Sequence, residues 1–341
     1  MAVKMAVRVR RFGDDHDNEA IEFPAAGVAD LRFGTSPVQD DKRLHLGIDI
    51  GDVEKGPRVG MVYWPPSTPE EMVEAPSLGR PHSHPSDNLR IEIKGALVMG
   101  RDVIRPGAFR MHRASSPYGS EGAARHVDGN WLVLCFADKR GSRMRLSNRA
   151  LRAEKETEEL VQREREITGV DVLRPNDPGV QGFVTTLTTS WGCGQYIDAS
   201  LDESGDWPGL ANGVRVCVSL MGDHEVGPIY IIQRTPPGAV ATPAMTVGSD
   251  VFRCVVSGSG ERDGQVLSAG DARVQAAGVP WGEVTAGPTG LDEVIIIGDR
   301  RGRRVDVDQA DIEWPNQIDQ LVTGLLPELD KLTDDLAVAD N

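Results

Sequence analysis

The chain is short of positive charge: 37 Lys and Arg stand against 52 Asp and Glu, for a net charge of −15. That deficit works against nucleic acids and anionic membrane surfaces, which both need a cationic face. No apolar run approaches the ~20 residues that cross a bilayer. The basic N-terminus is followed by no apolar stretch, so a secretory signal is not expected and a cytoplasmic protein is. Cysteine is sparse and scattered, at Cys135, Cys193, Cys217 and Cys254, with no Cys-x-x-Cys pair. Reduced, partly buried thiols are expected, and a cysteine zinc site is not.

Helical periodicity is scarce as well. One stretch, from Ser147 to about Thr168, is densely charged, with few apolar positions. It suits a surface connector. A second begins near Pro315 and carries Ile318, Leu321, Leu325, Leu329 and Leu332 at helical spacing. That gives one apolar stripe for packing on a barrel or on a second chain. What the sequence has in plenty is glycine (38) and proline (22), spread between short runs such as Gly60–Trp64, Trp131–Phe136, Val214–Val218, Pro228–Ile232 and Val294–Ile297. Short strands at close spacing, with turn residues between, predict sandwiches or barrels.

The 341 residues suit two domains, and a faint duplication supports this. Asp87, Arg90 and Gly95 match Asp250, Arg253 and Gly258, 163 positions on. The same offset carries Gly107 onto Gly270 and Pro117-Tyr118-Gly119 onto Pro280-Trp281-Gly282. Asp138-Lys-Arg-Gly141 likewise echoes Asp299-Arg-Arg-Gly302. A shift of offset places a loop near Pro69–Leu78. Yet His82 and His84 fall on Met245 and Val247, so metal chemistry belongs to the first half alone.

Pro81-His82-Ser-His84, running to Gly95, resembles the first motif of the cupin family. Pro106-Gly107 followed by Pro117-Tyr118-Gly119 resembles the second, and the doubling makes the chain similar to a bicupin. The resemblance implies an all-β chain of two tandem jelly-roll barrels with a connecting helix and a C-terminal helix. The expected divisions are a cupin with a candidate metal site (1–146), a charged helical connector (147–180), a degenerate cupin (181–304) and a C-terminal helix and tail (305–341). It also implies one divalent ion held by histidines, Fe(II) in the first place, with Mn, Ni or Zn as alternatives. Asn88 stands where the motif has glutamate, as in the form resembling gentisate-type ring-cleaving dioxygenases, which the Leu89-Arg90 pair also fits. Tyr118 stands where the third histidine belongs.

Two histidines spaced by two on a strand share one face, so His82 and His84 converge. Two ligands bind weakly, and a third is sought from Tyr118, His112 and His126, the last with Asp128 nearby. The same alternation turns Arg90 and Glu92 inward. Arg90 is then shaped for a substrate carboxylate or for an internal salt bridge, and Arg253 repeats it. Trp191–Tyr196 reads as a domain-linking turn or a lid. In the second barrel Met245, Val247, Val251 and Trp281 replace every candidate ligand, which predicts a structural partner. The expected function is a metal-dependent cupin enzyme acting on a small aromatic or carboxylated molecule, a dioxygenase if the metal is iron. His112 or Tyr118 would serve as acid or base and Arg90 as carboxylate anchor, in a homo-oligomer. A metal-free binding or scaffold bicupin and a metal-assisted cyclase, isomerase or hydrolase remain open beside it.

Overall fold

The computed structural model describes residues 6–11, 18–22, 27–32, 44–64, 82–99, 102–116, 121–123, 129–142, 145–146, 182–187, 196–303, 305–306 and 313–339. The connector between the halves, the loop near Pro69–Leu78, Tyr118, His126, Asp128, Cys193 and the start of the Trp191–Tyr196 segment lie outside these residues.

Two large antiparallel sheets dominate. The first runs, in spatial order, Tyr196–Ser200, Ala108–His112, Asn88–Lys94, Asn130–Phe136, Arg58–Trp64, Leu44–Asp49, Ala6–Arg11 and Asn18–Glu22. The second runs Val184–Thr185, Arg215–Leu220, Ile229–Thr235, Val284–Ile297, Val251–Arg262, Asp271–Gln275 and Val28–Arg32, with Val240–Thr242 and Gln265–Ser268 beside this path. Smaller sheets complete each barrel. His82–Ser83 pairs with Arg145–Leu146, and Met245–Val247 pairs with Pro280–Trp281 and Val305–Asp306. The architecture is all-β and antiparallel with a C-terminal helix, as expected. Among the described residues no helix is long and apolar enough to cross a membrane.

Strand alternation explains the packing. Leu89, Ile91 and Ile93 leave one face of their strand and share a buried cluster with Phe252, Cys254 and Val256 of the other half. The two large sheets therefore pack on each other. The opposite face of the same strand, with Asn88, Arg90 and Glu92, points into the first barrel. Both faces are buried, although the sequence alternates polar and apolar residues as an ordinary half-exposed antiparallel strand does. Gly95 follows its strand with φ +90° and Gly258 lies within Val251–Arg262, at a register shift, with φ +71°; a Cβ would run into Asn130 at the first and the Gly290 carbonyl at the second.

The halves exchange edge strands. Val28–Arg32, from the N-terminal half, pairs with Asp271–Gln275 of the second sheet. Tyr196–Ser200, beyond the expected connector, pairs with Ala108–His112 of the first. The same pair fastens each exchange. Arg110 donates from Nε and an Nη to the carboxylate of Asp198 at 2.5 Å, and Arg273 does the same to Asp30 at 2.6 and 2.7 Å. Edge strands from either side of the expected divisions thus join the other half's sheet.

The matched aspartates tie the halves together as well. Asp87 accepts from Ala114 N (2.7 Å), Gly182 N (3.0 Å) and Gly222 N (3.2 Å). Asp250 accepts from Ala277 N (2.9 Å) and from Gly51 N (3.0 Å) across the interface. Lys55 Nζ reaches Asp223 across the same boundary at 2.8 Å. The repeated Asp-x-Arg-Gly segments are 3₁₀ turns in both halves, capped by Asp138 and Asp299. Ser86 and Ser249 each accept from the cap's N–H at 2.8 Å.

The C-terminal helix, Glu313–Ala339, starts close to the expected Pro315. It packs on the second barrel through Trp314, Ile318, Val322, Leu329 and Leu332, while Leu321 and Leu325 are only partly buried. Trp314 enters the barrel and donates from Nε1 to Gln233 Oε1 at 2.9 Å. Packing against a barrel, one of the two roles expected for this stripe, is the one it fills.

Candidate functional site

The candidate site is the lumen of the first barrel. Strand register sets its residues in rungs. Phe136, Asn88, His112 and Tyr196 form one, and Leu134, Arg90, Arg110 and Asp198 form the next. Leu132 and Glu92 lie a rung further. Asn88, Arg90, Glu92, Arg110 and His112 are all buried, which long polar side chains seldom are without partners or a ligand.

His82 and His84 are buried on the same side of their short strand, with rings 5.2 Å apart and nearly perpendicular at 81°. The expected convergence is present. A metal–nitrogen bond of about 2.1 Å puts two imidazoles on one tetrahedral ion with ring centres about 5.4 Å apart. His84 Nδ1 lies 3.0 Å from the Ser142 carbonyl, so this nitrogen donates to it. The His84 ring packs 4.6 Å from Phe136. Its carbonyl accepts from Ser115 N at 2.6 Å, a bond that holds Ser115 in the left-handed region at φ 59°. The pair is therefore oriented from both its ring and its backbone.

The donor set is not complete among the described residues, where no group of three or more His, Cys, Asp or Glu side chains could hold a metal. His112 is on the lumen face, with its ring 5.3 Å from Tyr196, but it does not join the other two histidines in a ligand set. As a third ligand it is replaced by no described residue; Tyr118 and His126 lie outside them. The ring separation of His82 and His84 is compatible with one shared ion, and no described residue completes the set.

Arg90 donates to Asn88 Oδ1, its neighbour on the same strand face. Its copy, Arg253, is bound by Glu293 from Nε at 2.8 Å and also through NH2, with the guanidinium 4.6 Å above the Trp281 ring. Leu132 takes the place of Glu293 in the first half, 161 positions earlier. The internal salt bridge expected as one alternative is thus real in the second barrel, where Gln233 and Thr242 extend it at 2.7 and 3.2 Å. The candidate ligand positions of that lumen are apolar. Met245, Val247, Val251 and Trp281 are buried together with Trp314, as the replacement of candidate ligands predicts.

Two lumen residues are only weakly legible in the sequence. Arg110 is nearly sealed, bonded to Asp198 and to Asp102 (2.8 Å) and stacked 4.0 Å from the Tyr196 ring. Its match to Arg273 at the offset of 163 was the available signal. Glu92 is buried with neither carboxylate oxygen hydrogen-bonded, and burial pushes its acid well above the usual carboxylate range. Its counterpart is Val255.

No protein-family model matches the chain, and no curated protein sequence matches it. Among solved structures, a candidate dioxygenase from Nostoc punctiforme is 10% identical over 90% of both chains, with a TM-score of 0.48. Oxalate decarboxylase from Bacillus subtilis, at pH 4.6, is 13% identical over 75% of this chain and 72% of its own, at 0.39. Vicilin from hazelnut, Corylus avellana, is 12% identical over 81% of this chain and 86% of its own, at 0.42.

Proposed function

We propose that the first barrel is a small-molecule site and that the chain is a metal-dependent enzyme of cupin type, acting on a small carboxylated or aromatic compound. The observation that carries this reading is the contrast between the two lumens. One is filled by Met245, Val247, Trp281 and Trp314, with its arginine neutralised by Glu293. The other keeps two imidazoles with rings 5.2 Å apart, Arg90 bonded to Asn88, and a buried carboxyl that has no hydrogen bond among the described residues. The second lumen closes its polar groups on one another and on apolar side chains, and that contrast supports a ligand in the first.

His82 and His84 would hold the divalent ion, which when bound supplies Lewis-acid polarisation or, as iron, reaction with dioxygen. Arg90 lies one rung below the histidine level and is placed to orient a carboxylate by its planar fork. His112 and Tyr118 are the acid–base candidates, and His126 the candidate third donor. The second reading is a metal-free binding protein, favoured by the incomplete donor set among the described residues.

Elemental analysis of the purified chain, beside His82→Ala and His84→Ala, tests the choice. About one ion per chain in the wild type, lost in both variants, is the expected result. A wild type without a stoichiometric ion rejects the enzyme reading in favour of the metal-free one. Turnover compared under air and under nitrogen then separates dioxygen chemistry from Lewis-acid chemistry.

A further inference from the structure

The fold itself gives no reason for the carboxyl of Glu92. It is 1% exposed, and neither oxygen has a hydrogen-bond partner among the described residues. Its cross-strand neighbour Leu132 belongs to an apolar cluster with Val62, Leu97, Met99 and Ile104. A polar group left unpaired in such a place destabilises the native state. The second half serves as an internal control. Val255 occupies the matching position and packs with Ala241, Leu267 and Val284. In the second half this position is hydrocarbon, and the acid of the same rung, Glu293, stands on the facing strand and is bound to Arg253, whereas Glu92 has no such partner among the described residues. Buried groups that break the packing rule in this way concentrate where a ligand relieves them.

We propose that Glu92 is the floor of the first barrel's site and hydrogen-bonds an uncharged hydroxyl at the end of the ligand remote from its carboxylate. This inference rests on the small-molecule reading above and adds the ligand's second polar group. Burial pushes the Glu92 acid well above the usual carboxylate range. In its protonated form a carboxyl both gives and accepts a hydrogen bond. A hydroxyl does the same, and each satisfies the other without bringing a charge into an apolar floor. An ammonium group would require two desolvated charges there. Arg90 and Glu92 are two residues apart on one strand face, about 6.7 Å along the strand. A ligand that uses both carries its carboxylate and its hydroxyl at opposite ends of a short chain.

The test uses the full chain and three probes of one length: butyrate, 4-hydroxybutyrate and 4-aminobutyrate, titrated calorimetrically into wild type and Glu92→Val. One neutral hydrogen bond predicts that the wild type binds 4-hydroxybutyrate about fivefold tighter than butyrate. Glu92→Val should lose that preference and melt at a higher temperature than the wild type, since it restores the valine of the second half. Equal wild-type affinity for butyrate and 4-hydroxybutyrate overturns the inference alone. So does tighter binding of 4-aminobutyrate, or a Glu92→Val chain that melts lower than the wild type. A wild type blind to all three acids overturns the site reading together with it.

Discussion

Replacing Asp87 by alanine should destabilise the protein more in acid than at neutral pH. Its carboxylate accepts from three buried N–H groups, on Ala114, Gly182 and Gly222, the last two beyond the connector. Each donor left unpaired costs about 2 kcal/mol. Against that loss stands a relief. Burial pushes the Asp87 acid up from 3.8 to about 6, despite the backbone donors that pull it down. Once ionised, the native state bears about 3 kcal/mol for this rise. The sign follows from the direction. A raised folded value means that the native chain holds the proton longer than the unfolded one. The contribution of Asp87 to stability is therefore greatest below 3.8 and declines until the pH passes about 6. Asp87→Ala lacks this dependence. Its loss should be about 3 kcal/mol at pH 7.5 and about 5 kcal/mol at pH 4.5. Denaturant midpoints for wild type and variant in matched buffers measure the difference, because titrations common to both cancel. Asp250→Ala, which frees only two donors at a less buried site, should lose less at either pH. A loss for Asp87→Ala that grows with pH, or an Asp250→Ala chain that loses more, would refute the latch as described.

Trp314→Ala removes the side chain that enters the second barrel and strips Gln233 Oε1 of its donor. A stability loss of about 3–5 kcal/mol is expected, with metal content and probe binding in the first barrel retained. Loss of both would show that the barrels do not divide structural and ligand roles. Cys135, Cys217 and Cys254 are free and fully buried, and burial pushes the Cys217 thiol up to about 11. Mass spectrometry after a thiol reagent at pH 7.5 should find all three unmodified in the native chain and labelled after denaturation. Rapid native labelling of any of them would contradict the burial.

A good deal of this architecture was legible in the sequence, and for a local reason. Period-two alternation on Asn88–Lys94 assigns Arg90 and Glu92 to one face whatever the tertiary partner, and both are buried there. The offset of 163 paired Asp87 with Asp250 and Gly95 with Gly258, and each pair repeats its geometry. The spacing of His82 and His84 was enough to bring their rings together. The place of His112 was not legible in this way. It lies on the neighbouring strand opposite Asn88, and strand identity alone does not say how far a side chain reaches across a lumen.

By itself, then, the sequence determined the two-barrel plan, the inward set of each strand and the loss of ligand chemistry from the second half. These follow from backbone periodicity and from residue identity at matched positions. Only the tertiary structure decided that Val28–Arg32 and Tyr196–Ser200 each join the other half's sheet, because an edge strand's partner is chosen by whole surfaces meeting and not by its own five residues. It alone decided that Arg253 meets Glu293 while Glu92 meets no partner. That difference arises because one acid sits on the central strand and the other on its neighbour, so equal charges in two sequences face different distances and different company.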